Sequence, residues 1–156
     1  MSNKHIFSTS LTWDGANAVG TTDYRAYSRS HIISGKGKPE IPGSSDPVFR
    51  GDASRYNPEE LLIASLSSCH MLWYLHLCAD AGVVVIADED HASGTMAIDK
   101  DGGGRFSEVT LNPIVTVKDS SMVKAAIELH HNAHKKCFIA NSVNFPVKHN
   151  PTIRIR

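Results

Sequence analysis

The apolar positions of this chain change period along its length. Ile6-Phe7-Ser8-Thr9-Ser10-Leu11-Thr12-Trp13 mixes β-branched and aromatic residues and stops at the turn-forming Asp14-Gly15. Residues 24–33 alternate loosely, with Tyr24, Ala26, Ser28 and Ser30 in one register and Arg25, Tyr27, Arg29 and His31 in the other. Gly35 to Pro47 is punctuated by glycine and proline and reads as a loop. The spacing then predicts a long helix. Asn57 is placed to cap it, Pro58 fits its first turn, Glu60 completes a capping box and Gly82 ends it after about Ala81. Its second half, Cys69 to Cys78, is apolar on nearly every face, so burial all round is expected, with a partner subunit as the cover.

Beyond Gly82 the pattern returns to strands: Val83 to Ala87, His91 to Asp99, and Arg105 to Lys118 after the turn Asp101-Gly102-Gly103-Gly104. Met122, Ala125, Ala126, Leu129 and Ala133 then recur at helical spacing, in a helix capped by Ser120 or Ser121 and reaching about His134. Thr152 to Arg156 closes the chain as a strand. There is no repeat and no βαβ rhythm. The order predicts an α+β fold with antiparallel sheet, in one domain over residues 1–156.

Composition narrows the classes. In 156 residues, 41% are hydrophobic and 21% charged, enough apolar content for a core and too little polarity for disorder. Sixteen basic residues balance sixteen acidic ones, so no charge footprint for nucleic acid or an anionic membrane is present. No apolar run is read as approaching the roughly 20 residues of a membrane span. The N-terminus lacks the apolar stretch of a signal peptide. A soluble cytoplasmic protein is the expectation.

Three cysteines are too few for a secreted disulfide scaffold, and no CxxC occurs. In a reducing compartment each is either a small buried hydrophobe or a reactive thiol. Cys69, in a helix stretch rich in serine, is open to both readings. Cys78 lies nine residues on, on the opposite helix face and about 13 Å along the axis, and is read as core. Cys137 follows Lys135 and Lys136, whose ammonium groups are expected to favour its thiolate. His130 and His134 have the i, i+4 spacing of zinc ligands but lack HExxH and an evident third ligand, so they are read as solvated. His70 and His76 are read as hydrogen-bonded core or interface groups. The GxSxG, GxGxxG and Walker patterns are absent.

Asn57-Pro58-Glu59-Glu60-Leu61-Leu62, followed by Ala64-Ser65-Leu66-Ser67-Ser68-Cys69, resembles the signature of the OsmC/Ohr family, the osmotically inducible and organic hydroperoxide resistance proteins. Cys137, after a helix and before a last strand, is similar to that family's second cysteine. The resemblance covers essentially the whole chain. It implies an intertwined homodimer of α+β subunits with long central helices inside antiparallel sheets. It also implies a cysteine peroxidase for alkyl or lipid hydroperoxides, without cofactor or metal. Its reductant would be an external dithiol such as a lipoylated protein.

Carried over, the resemblance makes Cys69 the peroxidatic cysteine, Cys137 the resolving cysteine that closes a disulfide with it, and Glu59 the active-site glutamate. An arginine is expected to hold thiolate and peroxide. The OsmC-type position points to Arg50, in a register that also admits Val48 or Phe49, and the Ohr-type position to Arg29 or Arg25. A thiolate attacking the distal peroxide oxygen leaves alkoxide and a sulfenic acid, and a carboxylate-oriented guanidinium stabilises both charges. Glu59 and Cys69 are ten positions apart, roughly 15 Å on a straight helix. Either that helix breaks, or Glu59 serves the Cys69 of a second subunit. Two other classes remain: a small-molecule or lipid carrier on the same fold with inert cysteines, and a metalloprotein using His130 and His134.

Overall fold

The computed structural model describes residues 3–156. The chain divides into two compact units, one ending at Leu61 and one running from Leu62 to Arg156.

The first unit carries one antiparallel sheet in the order β1-β2-β3, from Ser10–Trp13, His31–Ser34 and Ile41–Gly43. The apolar run expected from Ile6 is a strand only from Ser10, and the alternating stretch is a strand only from His31. Between them the chain is tied by side chains: the Trp13 indole N–H donates to the Ser28 carbonyl at 2.8 Å and its ring meets Tyr27 edge-on. The expected Gly35–Pro47 loop contains β3. Gly43 is required there, because a Cβ would enter the His31 ring. A 3-10 turn at Pro47–Phe49 follows, capped by the Asp46 side chain.

Helix α1 runs unbroken over Pro58–Asp80. Its start is the predicted capping box: the Glu60 N–H donates to Asn57 Oδ1 at 2.8 Å and the Asn57 N–H to Glu60 Oε2 at 3.0 Å. Gly82, at φ +72°, provides the left-handed stop. At 23 residues, with a mean hydropathy of 1.4, α1 is long and apolar enough to cross a membrane, which corrects the reading that no run approaches that length. Leu66, His70, Tyr74 and Cys78 form a single buried stripe at i, i+4 spacing, while Leu72 is 63% exposed.

In the second unit α1 packs on two three-stranded sheets, β4-β7-β9 and β5-β6-β8. Their strands are Val85–Asp90, Ser93–Ile98, Gly104–Leu111, Pro113–Val117, Val147–His149 and Thr152–Ile155, in chain order β4 to β9. The predicted strand over 105–118 is broken at Asn112, whose N–H donates to Asp90 Oδ1 and whose side chain donates to the His91 carbonyl. The sheets are mixed and not purely antiparallel as expected: β6 pairs β8, and β7 pairs β9, in parallel. A 3-10 turn at Ser120–Met122, capped by Asp119, leads into α2, Val123–Lys136. One core cluster forms around Tyr74, Cys78, Val115, Val117, Ala126 and Ala133, and another around Leu66, Val109, Leu111 and Val147.

Candidate active site

Helices α1 and α2 meet through side chains that run antiparallel to each other. The Tyr74 hydroxyl donates to the Ala126 carbonyl at 3.1 Å. One turn earlier on α1 and one turn later on α2, His70 Nε2 and His130 Nδ1 share a hydrogen bond at 3.0 Å, their rings 5° from coplanar. The next neighbours in the same direction are Cys69 and Cys137, whose thiols lie close enough to bear on each other's ionisation. Cys137 is the C-cap residue of α2, its N–H donating to the His134 carbonyl. From His130 to Cys137 is seven residues, two turns, so both lie on one α2 face.

The two thiols differ in access. Cys69 is partly exposed, whereas Cys137 is 1% exposed. Burial pushes the Cys137 thiol up, and the charge that Cys69 takes on ionising pushes it further. Backbone N–H groups of Ala140 and Ile139 oppose this, the Ala140 N–H reaching Sγ at 3.4 Å. The lysine-activated thiolate expected at Cys137 is therefore corrected: desolvation governs it. The Lys136 ammonium sits instead over the Trp73 ring at 5.4 Å. Burial favours the protonated form of the Cys137 thiol. Cys78 is buried in the core, as read from the sequence.

Two and three positions beyond His70 on α1, Leu72 and Trp73 line a cavity of about 230 Å³ together with His76. Trp73 also meets the exposed Phe138 edge-on at 5.6 Å. Leu72 and Trp73 are three and four residues past Cys69, on its helix face.

The other candidate residues belong to the first unit. Arg29 is committed to its own loop: its guanidinium donates to the Tyr27 and Tyr24 carbonyls at 2.6 Å and stacks over both rings. Arg50 is exposed at φ +65°, closing the turn after Pro47–Phe49. Arg25 is exposed, its N–H donating to Asp23. Glu59 lies in the first turn of α1. The helix does not break between Glu59 and Cys69.

The histidines depart from expectation. His130 is fully buried, not solvated, with Tyr74 stacked on it at 3.7 Å. His149 faces His70 and His134 at ring separations of 5.6 and 5.3 Å. Burial lowers His70 to about 4 and His130 to about 3. No group of three His, Cys, Asp or Glu among the described residues is arranged to hold a metal. His76 is exposed and pairs with Asp80 at 3.3 Å. Asp88, facing Tyr74 and Cys78, is raised to about 6 by burial and by Asp90. The spacing of Leu66, His70, Tyr74 and Cys78 was the signal that could have placed a histidine and a tyrosine on the buried stripe.

The α+β fold with a long central helix is the arrangement shared with solved structures of one family. The family described as OsmC-like protein matches residues 51–152, and this chain belongs to it. The chain is 30% identical to an OsmC-like protein of unknown function from Vibrio cholerae, with a TM-score of 0.84, covering 95% of this chain and 99% of that one. It is similar in fold to an organic hydroperoxide resistance protein from Elizabethkingia anophelis, at 18% identity and a TM-score of 0.67 over 99% and 100% of the two chains. For the organic hydroperoxide resistance protein of Bacillus subtilis the values are 21% and 0.58, over 96% and 98%. A search of curated proteins gives no match.

Proposed function

We propose that this protein is a cysteine peroxidase that reduces organic hydroperoxides, acting in the reducing cytoplasm as a homodimer. The observation that carries the reading is the Cys69–Cys137 contact, a partly exposed thiol beside a buried one that holds its proton. The Cys69 thiolate attacks the distal oxygen of ROOH; the O–O bond breaks, RO⁻ leaves and takes a proton, and Cys69 becomes a sulfenic acid. The Cys137 thiol then attacks that sulfur, expelling water and closing the disulfide. A dithiol, such as a lipoylated protein, returns both cysteines to thiols and is itself oxidised. The apolar groove at Leu72, Trp73 and His76 favours alkyl over hydrogen peroxide.

Glu59 and an arginine, Arg50 first and Arg29 second, are proposed to orient the peroxide and balance the thiolate. An unbroken α1 supports a site in which Glu59 of one subunit serves Cys69 of the other. The exposed Leu72 supports an apolar dimer interface beside it.

The test is cumene hydroperoxide consumption with dihydrolipoamide as reductant. Cys69→Ser should abolish turnover and Cys78→Ser should leave it intact. Cys137→Ser should give one oxidation followed by sulfinic or sulfonic products at Cys69. Unchanged turnover in Cys69→Ser removes the cysteine-peroxidase reading, and absence of turnover in the native chain leaves the inert-cysteine carrier, which the raised Cys137 thiol also fits.

A further inference from the structure

The cysteine pair is the last of three contacts between α1 and α2, and the middle one is made by two buried imidazoles. A neutral imidazole has one donor and one acceptor nitrogen. The His70–His130 hydrogen bond uses one of each, and the remaining nitrogens, His70 Nδ1 and His130 Nε2, are buried without a partner, as is His149 Nδ1. Protonating the donating ring would turn its unpartnered acceptor into an unpartnered cationic donor, and protonating the accepting ring would set two N–H groups against each other. The anion facing the pair is Asp90 on β4, and both its oxygens are engaged: Oδ1 accepts from the Asn112 N–H, and Oδ2 from the Ser67 hydroxyl. From the other elements the pair faces only further imidazoles, His134 on α2 and His149 on β8, with His131 behind His149. Asp88 on β4 lies farther along, against Tyr74 and Cys78. No free carboxylate is on hand to receive a proton's charge at this contact.

We propose that the His70–His130 pair is the positioning element that seats the Cys137 end of α2 against the Cys69 face of α1, and that it does so only while both imidazoles are neutral. Tyr74–Ala126 holds the far side of the pair, so loss of the imidazole contact releases the cysteine end and not the whole helix. The inference deepens the reading of Cys137 as the partner of Cys69, and acid would separate the two thiols before it unfolds the core. Burial holds both rings far below the value of a free imidazole. By linkage, opening should become about 20-fold more favourable per imidazole between pH 7 and pH 5.

Burial of Cys137 makes the test direct, because a thiol reagent reaches it only in the opened form. The reduced protein is treated with 4,4′-dithiodipyridine at pH 7 and pH 5, with labelling of each cysteine read by mass spectrometry. Rates are normalised to the unfolded chain at the same pH, which gives a protection factor free of thiolate chemistry. The expected result is a fall of at least tenfold for Cys137 at pH 5 while Cys78, equally buried, keeps its protection. In His70→Phe/His130→Phe the Cys137 factor should be independent of pH. If that variant does not fold, His130→Gln, uncharged at either pH, should show a smaller dependence than the native chain, keeping only the share of His70. A Cys137 factor that is flat in the native chain overturns the proposal, as does a parallel fall at Cys78 or an unchanged pH dependence in the variants. No peroxide is used, so failure of the peroxidase assay and failure of this inference are separate results.

Discussion

The Tyr74 hydroxyl donates to the backbone carbonyl of Ala126 at 3.1 Å, linking α1 to α2 inside a fully buried site. Tyr74 also stacks on His130, so its ring and its hydroxyl hold two different points of α2. Tyr74→Phe keeps the stacked ring and removes only the hydrogen bond. The Ala126 carbonyl lies within α2, where helical geometry offers it a second donor, so the expected cost is about 1 kcal/mol and not the full penalty of an orphaned group. Urea unfolding at pH 7 should show a lower midpoint with an unchanged slope. A loss above about 3 kcal/mol would mean that the hydroxyl supports more than this one contact.

Asp88 supplies a pH dependence of the opposite sign to the histidines. Its folded value is raised from 3.8 to about 6 by burial, with Asp90 adding to it. A raised carboxyl favours the folded state below the unfolded value and costs stability as pH climbs through the folded one. Asp88→Asn mimics the neutral form at every pH. It should therefore be more stable than the native chain at pH 8, by about 1–2 kcal/mol once solvent screening of a half-buried group is allowed for. The advantage should shrink steadily between pH 6 and pH 4. Equal unfolding midpoints at pH 8 would show that the ionised carboxylate is solvated in place.

The capping box at the start of α1 is a stability prediction with no pH component. Asn57 is buried, accepts from the Glu60 N–H and donates its own N–H to the Glu60 carboxylate. Asn57→Ala removes the acceptor and should cost about 1 kcal/mol, while Asn57→Asp should recover most of it because the carboxylate also accepts. Thermal unfolding of the two variants side by side checks this ranking, and equal losses would contradict it.

These elements also show which parts of the molecule could be read from sequence. The α1 boundaries were legible because Asn57, Pro58, Glu60 and Gly82 act on their own neighbours. The turn at Gly102 was legible for the same reason, its φ of +88° being local chemistry. The parallel pairings of β8 and β9 were not, since they join segments about forty residues apart and leave no local period. Short β3 was hidden because two of its three residues are Pro42 and Gly43. At the candidate site, Cys69 and Cys137 were singled out by the family resemblance of the segments around them. The His70–His130 contact was missed because His130 was weighed against His134 as a ligand pair on a wet face. Its burial is decided by α1, sixty residues away, which sequence periodicity on α2 alone does not report. The rise in the Cys137 thiol was missed similarly: Lys135 and Lys136 are adjacent in sequence, but burial comes from tertiary packing.

The last prediction concerns the proposed shared site. Glu59 and Cys69 occupy one unbroken helix, ten residues and roughly 15 Å apart along its axis. A side chain cannot span that length back along its own helix, so the proposed role of Glu59 requires a second subunit. Glu59→Ala and Cys69→Ser homodimers should each be inactive toward cumene hydroperoxide. Co-expression with two different affinity tags, followed by sequential purification, isolates the mixed dimer. One of its two sites then pairs an intact Glu59 with an intact Cys69, and about half of native turnover should return. The other site carries both substitutions and stays silent. No recovery in verified mixed dimers, or a monomer by light scattering at micromolar concentration, would place the work of each site within a single chain and remove Glu59 from it.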